Sequence, residues 1–133
     1  MADMQSALRT RLRTAPSVST ISTAFHWVKV PEGASLPYVR LQTISDPRPR
    51  DLKGPIGGRE TRVQADVFAA SYGQARALAN AIIAEIEPPA RVDDIQFGRT
   101  IAEGPQDLGE DVEGQGHIYR ASVDLLVWHS LAN

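Results

Sequence analysis

Between Arg59 and Ala69 the chain alternates: Thr61, Val63, Ala65, Val67 and Ala69 take one side, and Glu60, Arg62, Gln64 and Asp66 the other. A period of two marks a strand with one buried face, because successive Cβ atoms point to opposite sides of the pleat. Phe68 interrupts the polar side. Upstream, Val39, Leu41 and Thr43 alternate with Tyr38, Arg40 and Gln42 in the same way, and two half-exposed strands in succession predict an antiparallel sheet. The run between them, Asp46 to Gly58, contains Pro47, Pro49, Gly54, Pro55, Gly57 and Gly58, so neither helix nor central strand persists there. It reads as a long loop between the second and third strands. Loops beyond about 12 residues are uncommon in compact domains and usually act as binding arms, lids or disordered segments.

Ser71 and Gln74 have capping-box spacing and announce a helix. Ala75, Leu78, Ala79, Ile82 and Ile86 then form an apolar stripe, and Pro88-Pro89 forbids continuation. Near the start, Met4, Ala7, Leu8 and Leu12 share one side of a short helix ended near Pro16, with Arg9 and Arg13 on the other side. Pro16 to Thr23 reads as a Ser/Thr-rich connector. Phe25 to Val30 predicts a first strand, closed by Pro31 and Gly33, with a hairpin to the strand at Tyr38 to Ser45. A fourth strand is expected near Asp94 to Ala102. A fifth runs from Ile118 to His129, alternating through Tyr119, Ala121, Val123, Leu125 and Val127.

The order α-β-β-β-α-β-β predicts an α+β fold: a two-layer sandwich of a mainly antiparallel sheet, about five strands, with two helices on one face. The other face then carries Tyr38, Ile44, Phe68, Leu126 and Trp128 among polar residues. If these cluster, they mark a partner surface.

One hundred and thirty-three residues with 42% hydrophobic content suit a single domain spanning residues 1–133. The absence of cysteine excludes disulfides, thiolate nucleophiles and cysteine metal sites. No stretch approaches the ~20 apolar residues of a membrane helix, and Met1 to Arg13 lacks a signal-peptide core, so a protein without membrane association is expected. A net charge of -2 argues against a dedicated nucleic-acid binder. The charge is nevertheless unevenly placed. Asp46 to Arg62 is net +2, whereas Glu103 to Glu113 carries five acidic residues and no basic one. One loop reads as basic and the other as acidic.

No chemistry-bearing motif emerges. Gly54-Pro55-Ile56-Gly57-Gly58-Arg59 lacks the Lys-Ser/Thr ending and the strand-to-helix context of a P-loop. No Gly-x-Ser-x-Gly elbow is present, and two imidazoles meeting across strands, His26 and His129, would make a poor zinc site. The acidic run lacks calcium-loop spacing. The expectation is therefore no catalytic, cofactor or metal site, and no enzyme.

Leu36-Pro37-Tyr38-Val39, the loop with Gly54-Pro55, Arg62-Val63-Gln64-Ala65-Asp66-Val67-Phe68-Ala69 and Ser71-Tyr72-Gly73-Gln74-Ala75 together resemble small tail-completion proteins of siphophages, prophages and gene-transfer agents. The resemblance spans roughly Met4 to Ile86, with Phe68 where Trp is frequent and Gln74 where an acidic residue is frequent. It implies a tail terminator: a virion ring, generally hexameric, that caps the tail tube, stops its growth and offers a surface to the head connector. It also implies assembly in the bacterial host cytoplasm and DNA passage through the lumen without specific binding. The alternative is a head-completion or neck connector; a small-ligand binder or enzyme comes third.

A closed ring needs two different complementary patches on every subunit. The candidates are Arg48, Arg50, Asp51, Lys53, Arg59 and Arg62 on the basic arm and Glu110, Asp111 and Glu113 on the acidic loop, with Tyr38, Ile56 and Trp128 as apolar contacts.

Overall fold

In the computed structural model, which describes residues 3–47, 50, 51, 54, 55, 58–114 and 116–131, the chain opens with α1 (Met4–Thr14). The Asp3 carboxylate caps it by accepting the Ser6 N–H at 2.7 Å. Its stripe of Met4, Ala7, Leu8 and Leu12 is buried, as the spacing predicts. Pro16 then starts a second, four-residue helix, α2 (Pro16–Ser19), in a segment that reads as a connector from its Ser/Thr content. Proline suits the first helical position because its missing N–H has no partner there anyway.

Strand β1 (Phe25–Trp27) pairs with β2 (Tyr38–Ser45) in parallel, which corrects the expected hairpin. Ten residues separate the two strands, too many for a tight two- to five-residue turn; the connection instead loops back so that β2 starts level with β1. The Asp46 to Gly58 connection contains a ladder of its own, β3 (Arg50–Asp51) against β4 (Gly54–Pro55). Then β5 (Arg59–Ala69) pairs antiparallel with β2, as the alternation predicts.

Ser71 caps α3 (Tyr72–Ile86), its hydroxyl accepting the Gln74 N–H at 3.2 Å. The stripe Ala75, Leu78, Ala79, Ile82 and Ile86 is buried, and the helix stops before Pro88. A short strand, β6 (Ala90–Val92), precedes the expected fourth strand, which is itself split between β7 (Ile95–Phe97), paired with β6 as a hairpin, and the start of β8 (Ile101–Val112). The last strand, β9 (Gly116–Leu131), is longer than expected and central.

Among the described residues the main sheet has seven strands rather than five, in the order β1-β2-β5-β9-β7-β6, with β8 also on β9. Among the described residues the helices number three rather than two, and the α+β class stands. The covered face contributes Val39, Leu41, Val63, Ala65, Val67, Val123, Leu125 and Val127 to one core with the stripes of α1 and α3.

The acidic segment is also corrected: Glu103 to Val112 is not a loop but most of β8, paired with β9 to the tip at Val112 opposite Gly116. Almost all of β8 is exposed, so no buried face imposes a period of two on its sequence. Its backbone bonds alone define it. A bulge at Gly104-Pro105 interrupts the ladder; Gly104 has φ +114, and a Cβ there would stand 2.8 Å from the Ser122 carbonyl oxygen.

Candidate assembly interface

The face turned away from the helices is ordered in rows by strand register. Tyr38, Phe68, Arg120 and Leu108 stand side by side across β2, β5, β9 and β8. The next row is Arg40, Asp66, Ser122 and Gln106, then Gln42, Gln64, Asp124 and Glu103. Beyond these, Arg62 sits beside Leu126 and Ile101, and Glu60 beside Trp128.

The apolar residues therefore form two groups rather than one. Tyr38 packs on Phe68 with ring centroids 5.1 Å apart. At the other end lie Leu126, Ile101 and Trp128, with Ile44 near the bulge that ends β2. Ile44, Ile101 and Trp128 are each about half exposed. The polar row of Gln42, Gln64, Asp124 and Glu103 divides the groups.

The basic arm leaves the sheet beside the Trp128 group, and its root is fixed. Arg59 meets Asp46 with N–O distances of 3.1 and 3.3 Å, joining the end of β2 to the start of β5. Thr61 Oγ1 lies 2.8 Å from Asp46 Oδ1 and 2.7 Å from His129 Nε2. A carboxylate only accepts, so the Thr61 hydroxyl donates to Asp46 and His129 Nε2–H donates to Thr61. Burial pushes the His129 pKa below its ordinary value, the Arg59 charge adds to this, and Asp46 opposes it. His129 is a neutral, structural group near pH 7.

The acidic tip lies at the opposite end. Asp107 points to the helix side, where it accepts from Tyr72 Oη and Arg76 Nη1, both at 3.2 Å. His117 bonds Asp111 at 2.8 Å and meets Tyr119 edge-on at 4.5 Å. Its ring lies over Gly109, where a Cβ would be 2.7 Å from His117 Nε2. The hairpin is thereby braced against α3, while Glu110 and Glu113 stay in solvent with no ion pair among the described residues.

Of the candidate residues, Arg48, Lys53 and Ile56 lie outside the described residues, and Arg50 and Asp51 are placed by backbone alone. Arg59, Arg62 and Trp128 gather at the arm end; Tyr38, Glu110, Asp111 and Glu113 gather at the tip end. His26 and His129 do not meet: His26 pairs with Arg40 on the edge, and His129 sits beside Arg59 in the interior.

Two residues escape sequence reasoning. Asp66, on the polar side of β5, is fully buried. It accepts from Arg40 and Arg120 at 3.0 Å each and from Gln64 at 3.1 Å. Burial alone would raise its pKa, but the hydrogen bonds from Gln64, Arg40, Arg120 and Ser122 prevail and hold it below the ordinary aspartate value. Arg11 is buried too, donating from Nη2 to the carbonyls of Glu85 (2.5 Å) and Pro88 (2.7 Å) at the end of α3 and lying over the Phe97 ring. Its sequence position gave a signal, since it falls four residues after Ala7 on the apolar stripe of α1.

Among the described residues, no group of three or more His, Asp or Glu is placed to hold a metal ion. What the open face offers is a patterned surface with apolar groups at two ends of one sheet. The chain belongs to the family described as tail completion protein gp17, whose model matches residues 6–130. It is thus a structural protein of a phage tail and of virion assembly. Among solved structures, a chain of the virion of a native gene transfer agent particle aligns with a TM-score of 0.65 at 17% identity, over 98% of this chain and 95% of its own. A second aligns with a TM-score of 0.53 at 15% identity, over 93% and 92%. Both likenesses show the fold. No curated protein matches the chain.

Proposed function

We propose that the protein is a tail terminator: a subunit of a closed ring, six copies in number, that caps the tail tube, stops its polymerisation and presents a surface to the head connector. The observation that carries this is the separation of its opposite charges. Arg59 and Ala69 bound an eleven-residue strand, so the arm root and the tip end lie about 33 Å apart at ~3.3 Å per residue. The middle of the arm is six residues from Asp46, a reach of at most about 22 Å. The arm therefore cannot neutralise Glu110, Asp111 and Glu113 of its own subunit. Between copies arranged head to tail, it can. That is the heterologous contact a ring requires.

Exposed ion pairs contribute only about 0 to 1 kcal/mol each, so charge sets register while apolar contact supplies affinity. Trp128, Leu126 and Ile101 flank the arm root and supply such a surface. The row of Gln42, Gln64, Asp124 and Glu103 is neutral to acidic, a character that suits a lumen wall past which DNA moves without sticking.

The test is solution mass by light scattering, with and without purified tail tube protein. A ring-sized species, alone or on tubes, is expected, and reversing Glu110, Asp111 and Glu113 to lysine abolishes it. Reversing Arg48, Arg50 and Lys53 to glutamate in the same chain restores it. A monomer that ignores tubes at every concentration overturns the reading and favours a neck connector.

A further inference from the structure

We propose that the cationic pocket built on Asp66 and Phe68 is a docking site for an acidic segment of a partner protein, with two arginines held ready for its carboxylates. The pocket is a shallow cavity of about 380 Å³ walled by Val28, Lys29, Tyr38 and Glu110. Its floor is the Tyr38–Phe68 pair. Arg40 and Arg120 lie over Phe68, each guanidinium carbon 5.8 Å from the ring centroid.

Three features make this more than a solvated basic patch. First, the arginines are preorganised: Asp66, wholly buried, takes one Nη2 of each at 3.0 Å. One carboxylate thus fixes two guanidiniums and leaves a charge surplus. Each guanidinium has five N–H donors in a rigid fork, and each makes one hydrogen bond among the described residues. The Nε atoms are buried, whereas about a third of each side chain remains open to solvent. Forks of this kind match carboxylates in geometry as well as charge.

Second, the charges that face the pocket are Lys29, Arg40 and Arg120 against Asp66 and Glu110. The balance is cationic although the chain as a whole is net -2. Third, the rim is strained. Val28 has φ +68 with Lys29 N–H bonded to Trp27 O at 2.7 Å, a γ-turn built on a β-branched residue. Val28 is 65% exposed, so burial does not explain the strain, and such backbone concentrates where a surface is shaped for function. The exposed Val28 and the aromatic floor, beside two guanidiniums, fit a peptide with carboxylates next to aliphatic residues. The site lies at the tip end of the sheet, opposite the root of its own arm, and shares Glu110 with the acidic patch proposed for the ring contact, so its binding is read on the free subunit.

The test is an NMR titration of the isotope-labelled full chain with a blocked tetrapeptide of leucine, aspartate, glutamate and leucine. The amide counterpart, with asparagine and glutamine, and sodium phosphate are titrated in parallel. Saturable shifts confined to Val28, Lys29, Tyr38, Arg40, Phe68 and Arg120 are expected with the acidic peptide alone. R120Q weakens binding by about tenfold or more, as loss of a charge-assisted contact does. Two rim variants leave the clamp intact: K29Q weakens binding about threefold and E110Q strengthens it by a similar factor, with unchanged melting temperature. Absence of saturation, equal response to the amide peptide, or indifference to both rim variants overturns the proposal. Phosphate binding as tightly at the same residues overturns the partner-protein reading in favour of a small-anion site.

Discussion

On the covered face of the sheet Val63, Ala65 and Val67 of β5 lie against the stripes of α1 and α3, with buried polar groups such as Thr61 and Arg11 only towards its ends. On the open face the same strand places Gln64, Asp66 and Phe68, and there the buried group is a carboxylate between two arginines. Apolar packing on the first face yields stability without direction. The hydrogen-bonded ions on the second face contribute less net stability, because desolvating them offsets much of their attraction, but they fix three strands in one register. The fold is held from one side and its surface is specified from the other.

This comparison fixes an order of mutational costs. Leu125, fully buried on the covered face of β9, has the largest: Leu125→Ala is expected to lose about 3 kcal/mol by lost transfer energy plus cavity, read by denaturant unfolding. Arg11 comes next. Arg11→Met keeps its aliphatic bulk against Phe97 but removes the donor to the Glu85 and Pro88 carbonyls. The expected loss is about 2 kcal/mol, the cost of leaving buried acceptors without partners. A neutral Arg11→Met would show that the α3 terminus is served by water instead.

Asp66→Asn should cost about 1 to 2 kcal/mol, less than either, because Arg40 and Arg120 are one-third exposed and rehydrate. A loss larger than that of Leu125→Ala would invert the comparison. The acid arm of the stability curve carries the same information. Asp66 has a folded pKa below its unfolded value, so its contribution is complete above the unfolded pKa of about 4 and is lost as pH falls below it. In Asp66→Asn that part of the acid sensitivity disappears.

These costs mirror how much was legible in the sequence. The alternation of β5 and the stripe of α3 are visible because burial on one side forces a period, and Ser71 is visible because a cap has a fixed spacing. Asp66 was not, since its burial comes from Arg120, which lies 54 residues away, together with Arg40. Only the pairing of β2, β5 and β9 brings them together. The acidic strand is hidden for the opposite reason: with both sides of β8 mostly exposed, its sequence answers to no burial pattern at all. The parallel start, β1 beside β2, depends on the path of a ten-residue connection that no local motif encodes. For the candidate interface, the charge segregation could be read directly. The placing of its two halves at opposite ends of one sheet could not.

A smaller effect belongs to the arm root. His129 is neutral in the fold, its pKa pushed below the ordinary value by burial and by Arg59. The unfolded chain therefore binds a proton more readily, and stability declines as pH falls below about 6.5 until the folded pKa is passed. His129→Gln keeps a donor for Thr61 and is expected to flatten the curve between pH 7 and 5. An unchanged slope would assign that sensitivity to another group.

The smallest effect on stability should belong to Trp128, and it sharpens the comparison most. Trp128 is 45% exposed on the open face, beside Glu60 and near the root of the arm. Its removal opens no cavity in the core, so Trp128→Ala should change unfolding by no more than about 0.5 kcal/mol, as exposed substitutions do. In assembly the ranking reverses. If the Trp128, Leu126 and Ile101 group is the apolar part of a contact between copies, Trp128→Ala loses self-association or tube capping while the isolated subunit keeps its melting temperature. Buried aromatic anchors carry a disproportionate share of interface energy, about 2 kcal/mol or more when truncated. Leu125→Ala, three positions away on the opposite face of β9, should show the converse: a destabilised subunit that still assembles below its melting temperature. Should both variants lose stability and assembly in proportion, the two faces would not be separable, and the open face would be an extension of the core rather than a surface kept for a partner.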